Sequence, residues 1–299
     1  MISADDWRGL GALAQRRCWL FDGDGVLHQD GRALPGACAL IDLLRRRDRR
    51  IALITNSSLR TPARIAAELA AMGIGIDAAD CFTSATAAVA AAAPLERAMV
   101  LGGPAIVAAL ETAGVEVVPT RPSAAADAVD AVIVGRDTEL TYARLCAAVL
   151  AIAHGARFIA TNPDPALPTE RGPLPGAGAI VAAIAAAVGK QPELIAGKPG
   201  PALFEQALAA QGAVPADAVM LGDQLETDIA GAHALGIETL LVRTGIARGY
   251  SDARIQGFAE RHGAPSFLAD DLVAVARALS SAREQTLATT RPPPRETSQ

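Results

Sequence analysis

Short apolar runs alternate with Ala- and Leu-rich stretches of helical spacing along almost the whole chain, the pattern of βα units that build a parallel sheet. Strands are expected at 18–21, 51–54, 99–101, 131–134, 157–160, 194–196, 218–221 and 238–242. One helix carries signals at both ends. Thr61 stands at the N-cap and Pro62 at the first helical position, Ile65, Ala66, Leu69 and Met72 share a face, and Gly73 closes it. No long linker divides the chain, but helices end in Pro-containing turns at Ala90–Pro94 and at Gly189–Pro192. The stretch between them is long enough to be a domain inserted into another. The expected organisation is a core of residues 1–93 and 190–279, an insertion over 94–189, and a disordered tail over 280–299, where apolar residues nearly vanish.

Composition narrows the class. With 299 residues, 51% hydrophobic and 20% charged, the chain builds real cores, and an aromatic share of 3% leaves those cores to Ala, Val, Ile and Leu. That suits α/β layers and leaves little material for stacking bases. A net charge of −5 is the wrong sign for a nucleic-acid footprint, so no nucleic-acid partner is expected. The one basic run, Arg45-Arg46-Arg47 with Arg49-Arg50, reads as a solvated helix C-terminus. Cys18, Cys38, Cys81 and Cys146 lie far apart without zinc-type spacing and read as small buried hydrophobes in a reduced compartment. The N-terminal residues lack the pattern of a signal peptide, and no apolar run reaches the roughly 20 residues of a membrane span. A soluble, cytoplasmic protein with no membrane partner is the expectation.

Four expected strands each end in a polar residue suited to phosphoryl chemistry, and in an open α/β sheet ligands bind outside the carboxyl ends of the strands. The first runs into Asp22-Gly23-Asp24-Gly25, two carboxylates on a chain flexible enough to turn its amides toward an anion; a plain Asx/Gly turn is the alternative reading. The second ends at Thr55-Asn56-Ser57-Ser58, whose hydroxyl and amide groups suit phosphate oxygens or simply a polar loop. The third leads to Gly197-Lys198-Pro199, where a lysine fixed between Gly and Pro can neutralise phosphate or merely face water. The fourth ends at Asp223, a hard oxygen ligand, with Asp228 five residues on, where it could equally cap a helix. Clustered carboxylates repel one another unless a cation is present, so a bound divalent metal reconciles the four.

These elements, in this order, resemble the four motifs of the haloacid dehalogenase superfamily of aspartate-nucleophile hydrolases over roughly residues 16–279. The likeness is to the class IIA branch, which includes the N-acetylglucosamine-operon phosphatase, the p-nitrophenyl phosphatases, phosphoglycolate phosphatase and pyridoxal phosphate phosphatase. Phe158–Asp164 and Pro175–Ile180 look like that branch's cap signatures. The resemblance implies an α/β fold with a Rossmann-like, doubly wound parallel-sheet core and an inserted α/β cap domain of C2 type. It implies a Mg²⁺-dependent phosphatase acting on a small phosphorylated metabolite through an aspartyl-phosphate. Asp22 would be nucleophile and metal ligand, and Asp24 acid/base and metal ligand through its carbonyl. Thr55, Asn56 and Lys198 would hold the phosphoryl group, Asp223 would complete the metal's protein ligands, and Asp228 would orient its neighbours. Thr161, Asn162 and Asp164, on the loop 161–172, are candidates for cap specificity, with a rigid surface connector as the alternative reading of that loop; the oligomeric state is open, and a homodimer through the cap is one assembly the resemblance allows.

Two positions depart from the family pattern: Gly23 is smaller than is usual there, and His28 stands where several relatives have an aromatic, expected to be solvated, with contact to substrate as the alternative reading. Two rival readings are weighed. A phosphoacceptor signalling module would leave the insertion and Asp24 without a use, and a non-catalytic phosphometabolite-binding protein would not need the complete acidic set.

Overall fold

The computed structural model describes residues 9–121, 128–167 and 172–289, with side chains as far as Ser281. In chain order, β1 (Cys18–Phe21) is followed by a small hairpin, β2 (His28–Gln29) and β3 (Arg32–Ala33), then α1 (Ala37–Arg45), β4 (Arg50–Thr55), α2 (Pro62–Ala71), β5 (Cys81–Thr83) and α3 (Ser84–Ala92). A second series comprises β6 (Arg97–Leu101), α4 (Pro104–Thr112), β7 (Glu116–Val118), β8 (Ala131–Val134), α5 (Tyr142–Ala153), β9 (Arg157–Ala160), a short hairpin of β10 (Ala166–Leu167) and β11 (Leu174–Pro175), α6 (Ala177–Val188) and β12 (Leu194–Ile195). The chain then returns through α7 (Pro201–Ala210), β13 (Ala218–Gly222), a π-helical turn over Leu225–Ile229, α8 (Ala230–Ala234), β14 (Glu238–Val242), α9 (Asp252–His262), β15 (Phe267–Ala269) and α10 (Leu272–Thr289).

Two parallel sheets result. One has six strands in the order β15-β14-β13-β1-β4-β5, the other five in the order β12-β9-β8-β6-β7. Parallel sheets are covered on both faces, which is why β1, β8 and most of β4 and β13 read as unbroken apolar runs. Trp19 and Phe21 feed a core under α1 and α10, while Cys18 and Leu20 feed a core on the opposite face. That second core also takes Ala98, Val100, Ala131 and Ile133 of the other sheet, so one apolar layer joins the two. Its middle is α3, Ser-Ala-Thr-Ala-Ala-Val-Ala-Ala-Ala, which packs against α4, α7 and the strands β9 and β12.

All eight expected strands are present, and the helix after Thr61 behaves as its signals predict. The Thr61 side chain accepts from the Arg64 amide, Ile65 and Leu69 are buried, and Gly73 takes a positive φ of 79°. Three expectations need correction. The strand at Leu194–Ile195 is not in the six-stranded sheet: it pairs with Ile159 and Ala160 of β9, so Lys198 arrives from the edge of the other sheet. The chain after residue 280 is helical as far as Thr289, where good helix formers such as Ala282, Arg283, Glu284 and Leu287 continue α10; residues 290–299 lie outside the described residues. The basic run is not simply solvated: Arg47, Arg49 and Arg50 donate to the carbonyls of Leu279, Ala14 and Gly212. Among the described residues, no helix is long and apolar enough to cross a membrane.

Candidate active site

The register of the six-stranded sheet sets up the site. Phe21 lies opposite both Leu53 and Leu221, so the next residues of β1 and β13 leave the sheet side by side and deliver Asp22 and Asp223 to one place. The Asp22 amide donates to the Leu221 carbonyl at 2.9 Å, which fixes where the carboxylate emerges. The chain then folds back on itself, with the Leu27 and His28 amides both on the Gly23 carbonyl and the Gly25 amide on the His28 carbonyl. Gly25 has a φ of +88°, and a Cβ there would collide with the Asp223 carboxylate, so only glycine fits.

Asp22, Lys198, Asp223 and Asp228 are all buried, with relative exposures of 5%, 2%, 1% and 0%. The Lys198 ammonium lies 2.8 Å from Asp22 Oδ1 and 2.7 Å from Asp228 Oδ1, and it donates to the Ile54 carbonyl at 3.2 Å. The three aspartates each offer an oxygen within 4.8 Å of the others. Burial pushes the Asp22 carboxyl up to about 7, Asp228 and Asp24 add to the rise, and Lys198 opposes it. Burial likewise lifts Asp223 to about 8, reinforced by Asp22 and Asp228. For Lys198, burial pulls downward, but the two paired carboxylates outweigh it and hold the ammonium charged.

The other expected site residues are placed less uniformly. Thr55, at the end of β4, is buried and its Oγ1 accepts from the Ser57 amide at 3.2 Å. The Asn56 side chain does not face the carboxylates. It grips the Lys198 backbone in both directions, donating to its carbonyl at 2.9 Å and accepting from its amide at 2.8 Å, and it also donates to Asp164 Oδ2 at 2.9 Å. Its side chain therefore positions Lys198. Thr161, Asn162 and Asp164 form one cluster with it: Thr161 Oγ1 donates to Asn162 Oδ1 and Asn162 Nδ2 to Asp164 Oδ2. Thr161 and Asn162 are buried, and the cluster ties the loop after β9 to the loop after β4. Residues 168–171 of the expected specificity loop lie outside the described residues.

Asp24 stands apart from the buried aspartates. Its side chain is 64% exposed and pairs with Arg60 Nη2 at 2.9 Å and His28 Nδ1 at 3.5 Å. His28 is buried, contrary to the expected solvation, and its imidazole packs beside Gly23 and Asp24. Arg60 was not singled out by the sequence, although its place directly before the Thr61 cap and four residues after Asn56 is a signal that could have found it.

Comparison with known proteins agrees with this geometry. Residues 19–116 match the family described as haloacid dehalogenase-like hydrolase, and residues 195–275 a second HAD-hydrolase-like family. An acid sugar phosphatase of Staphylococcus epidermidis is 34% identical over 234 residues, which is 77% of this chain and 88% of that protein. The chain belongs to the haloacid dehalogenase-like hydrolases. Two solved members of that family share the fold. A p-nitrophenyl phosphatase from Archaeoglobus fulgidus superposes with a TM-score of 0.80 at 27% identity, covering 89% of this chain and 100% of that one. A glycerol phosphate phosphatase from Mycobacterium tuberculosis, solved with magnesium, gives 0.77 at 33% identity, covering 90% and 78%. This hydrolase falls in their class IIA branch, with the expected Rossmann-like sheet and a second α/β unit.

The acidic cluster of this hydrolase fits a hard divalent cation. Asp223 Oδ2 accepts from the Ile246 amide at 2.7 Å, while Oδ1 is buried without a hydrogen-bond partner among the described residues. Three carboxylates against the single ammonium leave a charge of about −2 when all are ionised, which a divalent ion would cancel.

Proposed function

We propose that the chain is a Mg²⁺-dependent phosphatase that hydrolyses small phosphate monoesters through an aspartyl-phosphate on Asp22. The chain is a phosphoric monoester hydrolase, and its relatives are named for sugar phosphates, glycerol phosphate and p-nitrophenyl phosphate. The observation that carries the mechanism is the burial of Asp22 between Lys198 and two further carboxylates, an arrangement too costly to persist without a use.

Asp22 attacks phosphorus, and the bond from phosphorus to the ester oxygen breaks. Asp24 gives its proton to the departing alkoxide, then takes a proton from the water that attacks the acyl-phosphate, which releases phosphate and restores Asp22. Lys198 sits beside the attacking oxygen and offsets charge on the transferring group, with the Thr55 hydroxyl and the Asn56 backbone amide as hydrogen-bond donors to its oxygens. Asp22, Asp223 and the Asp24 carbonyl would hold Mg²⁺, with Asp228 orienting Lys198. When bound, the ion would supply neutralisation of phosphoryl charge. A relative solved with magnesium and also with calcium supports a divalent ion of this kind. The segment from β6 to β12 would act as the cap that admits the leaving group. A second copy would pair through it, since Leu140, Tyr142 and Leu150 are exposed there.

The test is phosphate release from a panel of small monoesters in Mg²⁺ and in EDTA, for the wild type and Asp22→Asn. Metal-dependent turnover that disappears in Asp22→Asn is expected. A folded protein that releases no phosphate from any ester would instead favour a phosphometabolite-binding role on the same fold.

A further inference from the structure

Asp24 is the one proposed reactive group that the interior does not hold. Its side chain is 64% exposed, and its contacts are His28 Nδ1 at 3.5 Å and the Arg60 guanidinium at 2.9 Å. An exposed ion pair adds little to stability, so stability is a poor account of this one. Arg60 is itself anchored. Its Nε donates to Ser57 Oγ and its Nη1 to Glu68 Oε2, both at 3.4 Å, and Glu68 is gripped from the other side by Arg64 Nε at 2.8 Å. Arg60 also directly precedes Thr61, whose hydroxyl caps α2, so its backbone is fixed by the start of a helix. A relay of Arg64, Glu68 and Arg60 thus runs from the first turns of α2 to the Asp24 carboxylate.

We propose that Arg60 is the positioning residue for Asp24: it aims the carboxylate that serves the leaving oxygen, and so decides how well esters with poor leaving groups are hydrolysed. The inference rests on the acid/base reading of Asp24. Misplacement of a reacting group by about 1 Å can cost roughly 100-fold, and a positioned acid contributes roughly 10² to 10⁴. That contribution matters only where the leaving oxygen needs a proton. An alkoxide such as that of glycerol takes the Asp24 proton as the phosphorus–oxygen bond breaks, whereas p-nitrophenolate departs without one. Arg60 therefore acts on the first ester far more than on the second.

The experiment compares kcat/KM for glycerol phosphate and p-nitrophenyl phosphate in the Mg²⁺-loaded enzyme, for the wild type, Arg60→Met, Arg60→Lys, Glu68→Gln and Asp24→Asn. This ratio reports the steps up to loss of the leaving group. Arg60→Met should lower kcat/KM for glycerol phosphate at least about tenfold more than for p-nitrophenyl phosphate. Arg60→Lys should recover part of the difference, and Glu68→Gln should show a smaller difference in the same direction. An equal loss on both esters, or no loss on either, overturns the role of Arg60. If Arg60→Met does not fold, the absence of any ester-dependent loss in Glu68→Gln overturns it as well. Asp24→Asn separates this from the underlying reading: should that variant treat both esters alike, the acid/base assignment itself falls.

Discussion

Strand β13 of the six-stranded sheet and strand β8 of the five-stranded sheet are both completely buried apolar runs in parallel surroundings, yet they deliver different chemistry at their ends. β13 hands the chain to Asp223, in a cluster of three carboxylates and a lysine; β8 hands it to Gly135, packed against Ser58 and Ile106. Asp22, Lys198, Asp223 and Asp228 all collect at the first sheet, whereas Thr161 and Asn162 are the polar side chains buried at the end of β9. Two layers with one architecture can therefore divide the work unequally, the five-stranded sheet adding Lys198 alone from its edge strand β12, because the chemistry is carried by the residues just past the strand ends.

That contrast can be broken by unequal mutations. Asp22→Asn should reduce turnover by on the order of 10⁴ or more, read as kcat on p-nitrophenyl phosphate. Phe158→Ala, in the core of the second sheet, should cost about 3–5 kcal/mol of stability in denaturant titration while turnover stays far above that of Asp22→Asn. Comparable losses of turnover in the two variants would refute the division of labour. Lys198→Met is predicted to do both kinds of damage, since it leaves buried carboxylates unpaired at about 3–5 kcal/mol, again read by denaturant titration.

Metal removal sharpens the comparison through pH. Asp22 and Asp223 hold their protons up to about 7 and about 8 in the metal-free fold, against an ordinary carboxyl value of 3.8. Between those limits the folded chain binds more protons than the unfolded one, so metal-free stability falls as pH rises from 3.8 toward about 8. Mg²⁺ competes with those protons, and the gain in Tm on adding it should grow across the same window. A gain that shrinks with rising pH contradicts the cluster as the metal site. The smallest effects should be equal in the two units: Thr61→Ala and Thr141→Ala each delete a helix cap and should each cost about 1 kcal/mol in thermal melts.

Much of this was legible from residue order alone. The strands at 18–21, 131–134, 157–160 and 238–242 fall where the apolar runs place them, because a strand buried on both faces has little freedom of composition. β5, β7 and β15, at three residues each, are too short to give a periodic signal and depend on neighbours for their pairing. Asp22, Asp223, Asp228 and Lys198 were legible as a group, but the route of Lys198 was not: a two-residue strand carries no mark of which sheet it will join. Nor could sequence show that Asn56 would spend its side-chain amide on the Lys198 backbone, or that Asp24 would pair with Arg60, since both depend on side-chain directions set by distant packing.

The helix between the two sheets carries a mechanical consequence. Interlocking of packed elements comes from side chains long enough to form ridges that seat in grooves. α3 meets α4 and α7 with Ala85, Ala87, Ala88 and Ala92 and almost no longer side chain beyond Val89, so its surface is nearly smooth. Toward α7 the register is set by Thr86 Oγ1, which donates to Gln206 Oε1 at 3.1 Å, but toward α4 such a surface adheres by contact area without fixing one. It resists separation of the two units far more than it resists their sliding, and shear is the motion it leaves open to whatever seals the site over its substrate.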